Sequence, residues 1–530
     1  MYNNIRSDNN KKSRRMIYVY EFIRSFKEMY TPGRKRIPEP EPQMITRSLD
    51  HNIGYIKRMF NNASDLTIHE MQLEGTRAAV ISIDNLISKD TLAFSIIKPL
   101  FSFRFGNDPE KNLDSVCNKV LYTDDITRIR TFDDVSRYIL SGFCVIAVEG
   151  SADMLSVGIQ GFKSRSISEP ESDVIQRGSK EGFVEALHTN MSMLRRRMKT
   201  PSLMLDIITA GRLSGTEICI CYLADRASSE IVRELKRRLD AADIETVLAA
   251  GYLVPYIEDK DSLSPFSTVG ITERPDTVCG KLSEGRIAVM IDGVPSALIV
   301  PYLFAEYFQT LDDYSNRPYF ATFTRWLKFA AFFLSILLPG VFVALCTFDQ
   351  EMFPSLMLNK IAGAVASTPL SLMGEMIIIQ FIYEIMRESG LRMPQPLGYA
   401  VSIVGGLVIG DTAINAGLIG APTLMAAAMA AICSYVIPNL YAPSAILRFG
   451  FTIAGGFFGI WGISILFCIV FINICSKTSF GIPFTSPVTP FGFSSLRDVF
   501  VRAGWKILSS SPVRIQNMPG TSSPGGAENE

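Results

Sequence analysis

The chain has 530 residues, too many for one hydrophobic core, and its 52 Lys and Arg balance 52 Asp and Glu. Charge therefore gives no argument for a nucleic-acid partner. Nine cysteines stand singly except Cys219 and Cys221, and His51, His69 and His188 are far apart, so no metal, redox, nucleophile or phosphate-loop signature is present. No enzyme, catalytic residue, metal or cofactor is expected.

In chain order, residues 1–45 form a basic stretch containing Arg14, Arg15, Arg34, Lys35 and Arg36 and ending in "RIPEPEPQ". Proline disfavours helix there, and a solvated, disordered tail is the simplest reading, with attraction to anionic lipid as the alternative. No apolar signal-peptide core follows the start.

The next region echoes itself. "GFCVIAVEGSADMLSV" (Gly142 to Val157) lies over "GRIAVMIDGVPSALIV" (Gly285 to Val300), and "RAAVISIDNLISKDTL" over "EICICYLADRASSEIV". Each of the first pair reads as a hairpin turning at Glu149-Gly150 or Asp292-Gly293, the acids being turn formers. The fold class is an α/β soluble N-terminal region of two similar α/β subdomains, 46–165 and 201–320, followed by an α-helical multi-span membrane domain. The intervening 166–200 reads as a linker helix, with Phe183, Leu187, Met191, Leu194 and Met198 at helical spacing from Lys180 onward. Arg195, Arg196, Arg197 and Lys199 crowd its end, where the helix dipole favours cations; a docking surface is the functional alternative. A small ligand between the two halves is supported by fold analogy alone.

Residues 321–476 are expected to be the transmembrane domain, with about four spans. Phe329 to Phe348 carries no charge and is long enough for a hydrocarbon layer of ~30 Å. Within it Pro339 and Gly340 mark a candidate hinge or a packing kink. The segment 369–388 is apolar but carries Glu375, Gln380, Glu384, Arg387 and Glu388, so an amphipathic, membrane-associated helix is expected there, with Glu375 nearly opposite Glu384 and an ion pair between Glu384 and Arg387 as one possibility. Further apolar stretches lie near 398–416, 419–440 and 449–475, the last able to span with tilt. Small residues at Gly406/Gly410 and Gly455/Gly459 invite close helix packing and an oligomer. Flanking charges place both termini in the cytoplasm, with Arg448 a contrary sign, and 477–530 reads as a cytoplasmic, largely disordered tail.

The blocks "RGSKEGFVEALHTNMSMLRRRMKTP", "TERPDTVCGKLSEGRIAVMIDGVPSALIVP", "LLPGVFVALCTFDQEMFP" and "RESGLRMPQPLGYAVSIVGGLVIGDTAINAGLIGAP" resemble the A-subunit family of bacterial spore germinant receptors, the GerA type, from about Glu169 to Phe449. The resemblance implies an oligomeric protein in the inner membrane of an endospore, partnered by a multi-spanning B subunit and a lipoprotein C subunit, contributing a gated ion-conducting path whose opening begins germination. A paralogous sporulation-stage membrane protein shares this architecture.

Two sets of residues are candidates for such a path. Asp411 and Asn415, one turn apart among glycines, form either a polar clamp or helix cap, or the cytoplasmic mouth of a cation route. Segment 369–388 is the candidate gate, with Leu372, Met376 and Ile379 as an apolar constriction beside Glu375, Gln380 and Glu384. A secondary transporter using Glu375, Glu384 and Asp411 as coupling sites is the alternative, although no repeat appears among the spans.

Overall fold

The computed structural model describes residues 43–104, 106, 108–121, 125–161, 170, 173, 175, 177–259, 264–393, 410–490, 495–510 and 514–518. The chain divides into two compact units, one built from residues 1–259, 269–302 and 503–530 and the other from 260–268 and 303–502.

The first unit holds two lobes. Lobe one contains α1 (Leu49–Met59), β1 (Leu66–Leu73), β2 (Thr76–Ile83), β3 (Ile126–Ile129), α2 (Phe132–Ile139), β4 (Phe143–Val148) and β5 (Met154–Gly158), with its strands antiparallel in the order β1-β2-β4-β5-β3. Lobe two contains α3 (Leu187–Arg197), β6 (Leu203–Ala210), β7 (Thr216–Leu223), α4 (Ser229–Asp240), β8 (Gly270–Thr272), α5 (Pro275–Ser283), β9 (Ile287–Ile291) and β10 (Ala297–Val300), in the order β6-β7-β9-β10-β8. The two orders are the same path repeated. In lobe one the sheet is covered on both faces: Ala79, Ile81 and Ile83 of β2 pack with α1 and α2, while Ala78 and Val80 pack against Leu100, Leu113 and Val116. Burial on both faces explains why β2 and β4 read as unbroken apolar runs rather than alternating ones.

The repeat extends to single hydrogen bonds. Asn52, at the fourth residue of α1, donates Nδ2 to Thr46 O at 2.6 Å and accepts Thr46 N at 3.0 Å. Asn190, at the fourth residue of α3, does the same to Val184 at 2.6 and 2.9 Å. Leu49 N donates to Glu149 Oε1 at 3.5 Å and Leu187 N to Asp292 Oδ1 at 3.0 Å. Gly150 N donates to Arg47 O and Gly293 N to Glu185 O. Glu149 and Asp292 are therefore more than turn formers: each carboxylate caps a distant helix start, and the following glycine takes the positive φ, +83° and +80°, that brings it there. Helix α3 consequently starts at Leu187 rather than near Lys180, because both backbone groups of Val184 are taken by Asn190 and Phe183 N is taken by Glu273 O at 2.8 Å. The expected linker helix is the lobe-two counterpart of α1.

The basic end of α3 is held by ion pairs and is buried at Arg195. Arg195 is fully buried and its Nε and Nη2 each meet a carboxylate oxygen of Asp65 at 2.8 Å, joining the lobes in a two-pronged pair. Arg196 pairs with Glu181 at 2.8 Å and Arg197 pairs with the same carboxylate. Three of the four basic side chains are thus tied into ion pairs within the unit, and Lys199 is exposed.

The second unit is helical: α6 (Pro318–Thr347), α7 (Ser355–Ala366), α8 (Leu372–Arg392), α9 (Gly410–Asn415), α10 (Ala421–Ser434) and α11 (Tyr441–Ser476). Pro318–Thr347 and Pro438–Ser476 are long and apolar enough to cross a membrane. The second of these is not a straight rod. At Gly459 φ is +61° and ψ −149°, outside helical values. A Cβ on Gly462 would lie 2.5 Å from Ala454 O, and one on Gly450 would lie 3.6 Å from Leu466 Cδ2. Residues sixteen apart in a straight helix are separated by about 24 Å, so α11 doubles back at Gly459 into two packed halves of roughly 26 Å each, where a single tilted span was expected. The stretch near 398–416 lies mostly outside the described residues, as do residues 1–42 and 519–530. Much of 477–518, expected to be a largely disordered tail, is folded: β11 (Thr478–Ser479) pairs with β12 (Ile482–Pro483), and short helices follow.

Candidate functional site

The second unit concentrates its polar groups on the two sides of α8. Gly340 and Gly455 set the packing: a Cβ on Gly340 would lie 2.5 Å from Phe451 O, and one on Gly455 2.5 Å from Gly340 O. The α6 and α11 backbones touch with no side chain between them. Gly340 is packed against the α11 backbone, Pro339 beside it is buried within α6, and Gly459 is a turn. Gly410 has ordinary contact with Leu424, and Gly406 lies outside the described residues.

On one side of α8, Gln380 Nε2 donates to Thr452 Oγ1 at 3.0 Å. One turn on, Glu384 pairs with Arg448 and accepts Tyr441 Oη–H at 2.7 Å. Residues 380 and 384 thus meet 452 and 448, two rungs of an antiparallel ladder between α8 and α11. Arg387 lies 3.5 Å over the Tyr441 ring and Arg448 5.4 Å from the Tyr383 ring centroid, so aromatic faces cover the cations. The partner of Glu384 is Arg448, not Arg387. Sequence reasoning missed it because Arg448, Tyr441 and Thr452 are remote along the chain. The signal was present, since an arginine in an apolar run needs a carboxylate.

On the other side, Glu375 is fully buried. Its Oε2 accepts Gly420 N at 3.0 Å and Thr423 Oγ1–H at 3.1 Å, and its Oε1 accepts Thr368 Oγ1–H. Gly420 and Thr423 lie at the start of α10, so a carboxylate from another helix caps α10 where its dipole is positive. Helix arithmetic put Glu375 and Glu384 on opposite sides, and each indeed serves a different neighbour. Leu372, Met376 and Ile379 are buried with Val343, Cys346, Ile361 and Ile419 in the unit's apolar core; in this conformation they are packing residues. Asp411 and Asn415 are exposed, and Asn415 Nδ2 donates to Asp411 Oδ2 at 3.0 Å. Among the described residues no group of three His, Cys, Asp or Glu could hold a metal.

In comparisons with known proteins, the family profile for Bacillus/Clostridium GerA spore germination protein matches residues 54–513. Spore germination protein KA of Bacillus subtilis is 35% identical over 469 residues, covering 88% of this chain and 86% of that protein. The uncharacterized membrane protein YfkQ of Bacillus subtilis is 30% identical over 481 residues, covering 90% and 93%. A crystal structure of the N-terminal domain of the A subunit of the Bacillus megaterium spore germinant receptor GerK3 aligns with 28% identity and a TM-score of 0.39, covering 50% of this chain and 99% of that one. With helices of membrane length and a match over most of its residues, the chain is membrane-associated and belongs to the GerA spore germination protein family.

Proposed function

We propose that this protein is the A subunit of a nutrient-sensing spore germinant receptor, a non-enzymatic, oligomeric protein of the spore inner membrane that works with B and C subunits and contributes a gated path for ions. Membership of the family supports the role in germination. The observation that carries the path is the placing of Glu375, Gln380 and Glu384 on one membrane-length helix, each held by a polar partner. Acidic groups within a membrane part are costly unless paired or hydrated, and they mark ion routes.

In this reading the observed state is shut. Leu372, Met376 and Ile379 fill the core, and the Gln380–Thr452 and Glu384–Arg448 rungs hold α8 on α11. Opening moves α8, with Pro339 and Gly340 as the hinge of α6, and Asp411 and Asn415 lie at the mouth. Reconstitution into liposomes with and without the partner subunits and nutrient tests the reading: nutrient-dependent ion flux is expected. Flux coupled stoichiometrically to solute uptake would give a transporter instead, and no flux from the complete receptor would remove the path. Glu384→Gln should release ions without nutrient, and an unchanged threshold would take α8 out of the gate.

A further inference from the structure

Helix α6 begins inside out. Over its first three turns Tyr319, Phe320, Phe323, Trp326 and Leu327 are exposed, while the opposite side buries Ala321 and Arg325. Arg325 Nε meets Asp313 Oδ2 at 2.8 Å and its Nη1 donates to Asp498 O at 2.6 Å. Lys328 Nζ donates to Thr310 Oγ1 at 2.8 Å. The segment after the C-terminal hairpin joins the same face: Trp326 Nε1 donates to Phe500 O at 3.0 Å, Arg502 N donates to Thr322 Oγ1 at 3.1 Å, and Phe500 and Val501 are exposed. A helix surrounded by water would present the charges and bury the rings.

A second group of exposed rings lies at the far end of α6. Phe348, Phe457, Phe458 and Trp461 are exposed, and they surround the turn of α11, where the Phe348 ring lies 3.2 Å from the Cβ position of Gly459. From Trp326 to Phe348 is twenty-two residues, all but the last within α6, or roughly 33 Å at the helical rise. The hydrocarbon core is about 30 Å thick. Aromatic side chains collect at both edges of that core, where a ring meets acyl chain and a polar edge meets headgroup.

We propose that the two groups are girdles that dock on the two interfacial layers of a lipid bilayer: Trp326 with Phe500 and Val501 in one layer, and Trp461 with the Gly459 turn in the other. The halves of α11 then each cross the hydrocarbon, and residues 498–502 form a membrane-surface element rather than a free tail. Arg325 and Lys328 sit at the inner edge of the headgroups, where their partners Asp313 and Asp498 complete the pairing. The three tryptophans of the chain, Trp326, Trp461 and Trp505, make this testable in the full-length protein. Variants carrying Trp505→Phe with either Trp461→Phe or Trp326→Phe leave one reporter each. In phosphatidylcholine–phosphatidylglycerol vesicles containing brominated lipid, each reporter should lose more emission to bromine near the headgroup than to bromine near the acyl-chain end. Deeper quenching of Trp461 would overturn the second girdle and the doubled-back placement of α11. Quenching of Trp326 by aqueous iodide alone, or by neither iodide nor bromine as when a second copy covers it, would overturn the first.

Discussion

In the α/β unit Asp65 and Arg195 are sealed at a seam between two cores of branched aliphatic side chains, into which Phe60 and Phe132 are fully buried. In the helical unit Gly340, Gly455 and Gly462 lie directly against backbone, and large rings such as Trp326, Phe458 and Trp461 stand exposed. The difference follows from the surroundings. Where water drives burial, apolar side chains fill the interior and a charge enters only with its partner. Where lipid is as apolar as leucine, burial of side chains gives no net drive, and close backbone approach and hydrogen bonds hold helices together.

The largest expected effect tests the seam. Asp65→Ala should destabilise the α/β unit by about 3–5 kcal/mol, because it leaves Arg195 buried and uncompensated. Replacing both, as Asp65→Leu with Arg195→Met, should recover most of that loss. Hydrogen exchange of β6 amides in the intact protein reads both; a single replacement as harmless as the double would mean that the pair is not what closes the seam.

The helical unit should instead be most sensitive to added volume. Gly455→Val should cost about 1–3 kcal/mol or more by overpacking, seen as a lower unfolding temperature in detergent, since its Cβ would lie 2.5 Å from Gly340 O. Gly363, with nothing within 4 Å, should accept alanine with a gain of up to about 1 kcal/mol from helix propensity. Equal responses at the two positions would erase the contrast. Glu375→Gln comes next: it keeps an acceptor for Gly420 N but removes charge from the α10 start, an expected loss of about 1 kcal/mol, read as faster exchange in the first turn of α10.

These positions also show what the residues alone could reveal. The duplicated lobes were legible because strand pattern, turn glycine and following helix recur at nearly one spacing, and local patterns survive in the fold. The caps by Glu149 and Asp292 were not legible, since their partners lie a hundred residues away and nothing local distinguishes a capping acid from a turn acid. The polar face of α8 was visible by arithmetic, but Arg448 as the partner of Glu384 required knowing that α11 lies antiparallel on it. The reversal at Gly459 was hidden within an uninterrupted apolar run: a glycine pair in such a run reads equally as a packing face, and only its positive φ makes it a turn.

The smallest expected effect concerns acid. Burial pushes Glu181 up, but hydrogen bonds from Arg197 and Arg196 and their charges outweigh it, and the carboxyl is held below its ordinary 4.5. Its stabilising contribution is therefore complete above that ordinary value and is lost as pH falls through the lower folded value. Asp173 behaves oppositely: burial raises it, against a hydrogen bond from Thr272 and the charge of Arg274. Its contribution is full below the ordinary aspartate value of 3.8 and is lost as pH rises through the raised one. The two slopes oppose each other across the acid range, so Asp173 offsets part of the acid loss that Glu181 brings to the region around α3. Glu181→Gln removes one acid-labile arm, so the loss of stability on acidification, followed by hydrogen exchange of α3, should become shallower than in the native protein. A steeper acid loss in that variant would mean that Arg196 and Arg197 draw on other carboxylates, and that the basic end of α3 is less enclosed than the seam beside it.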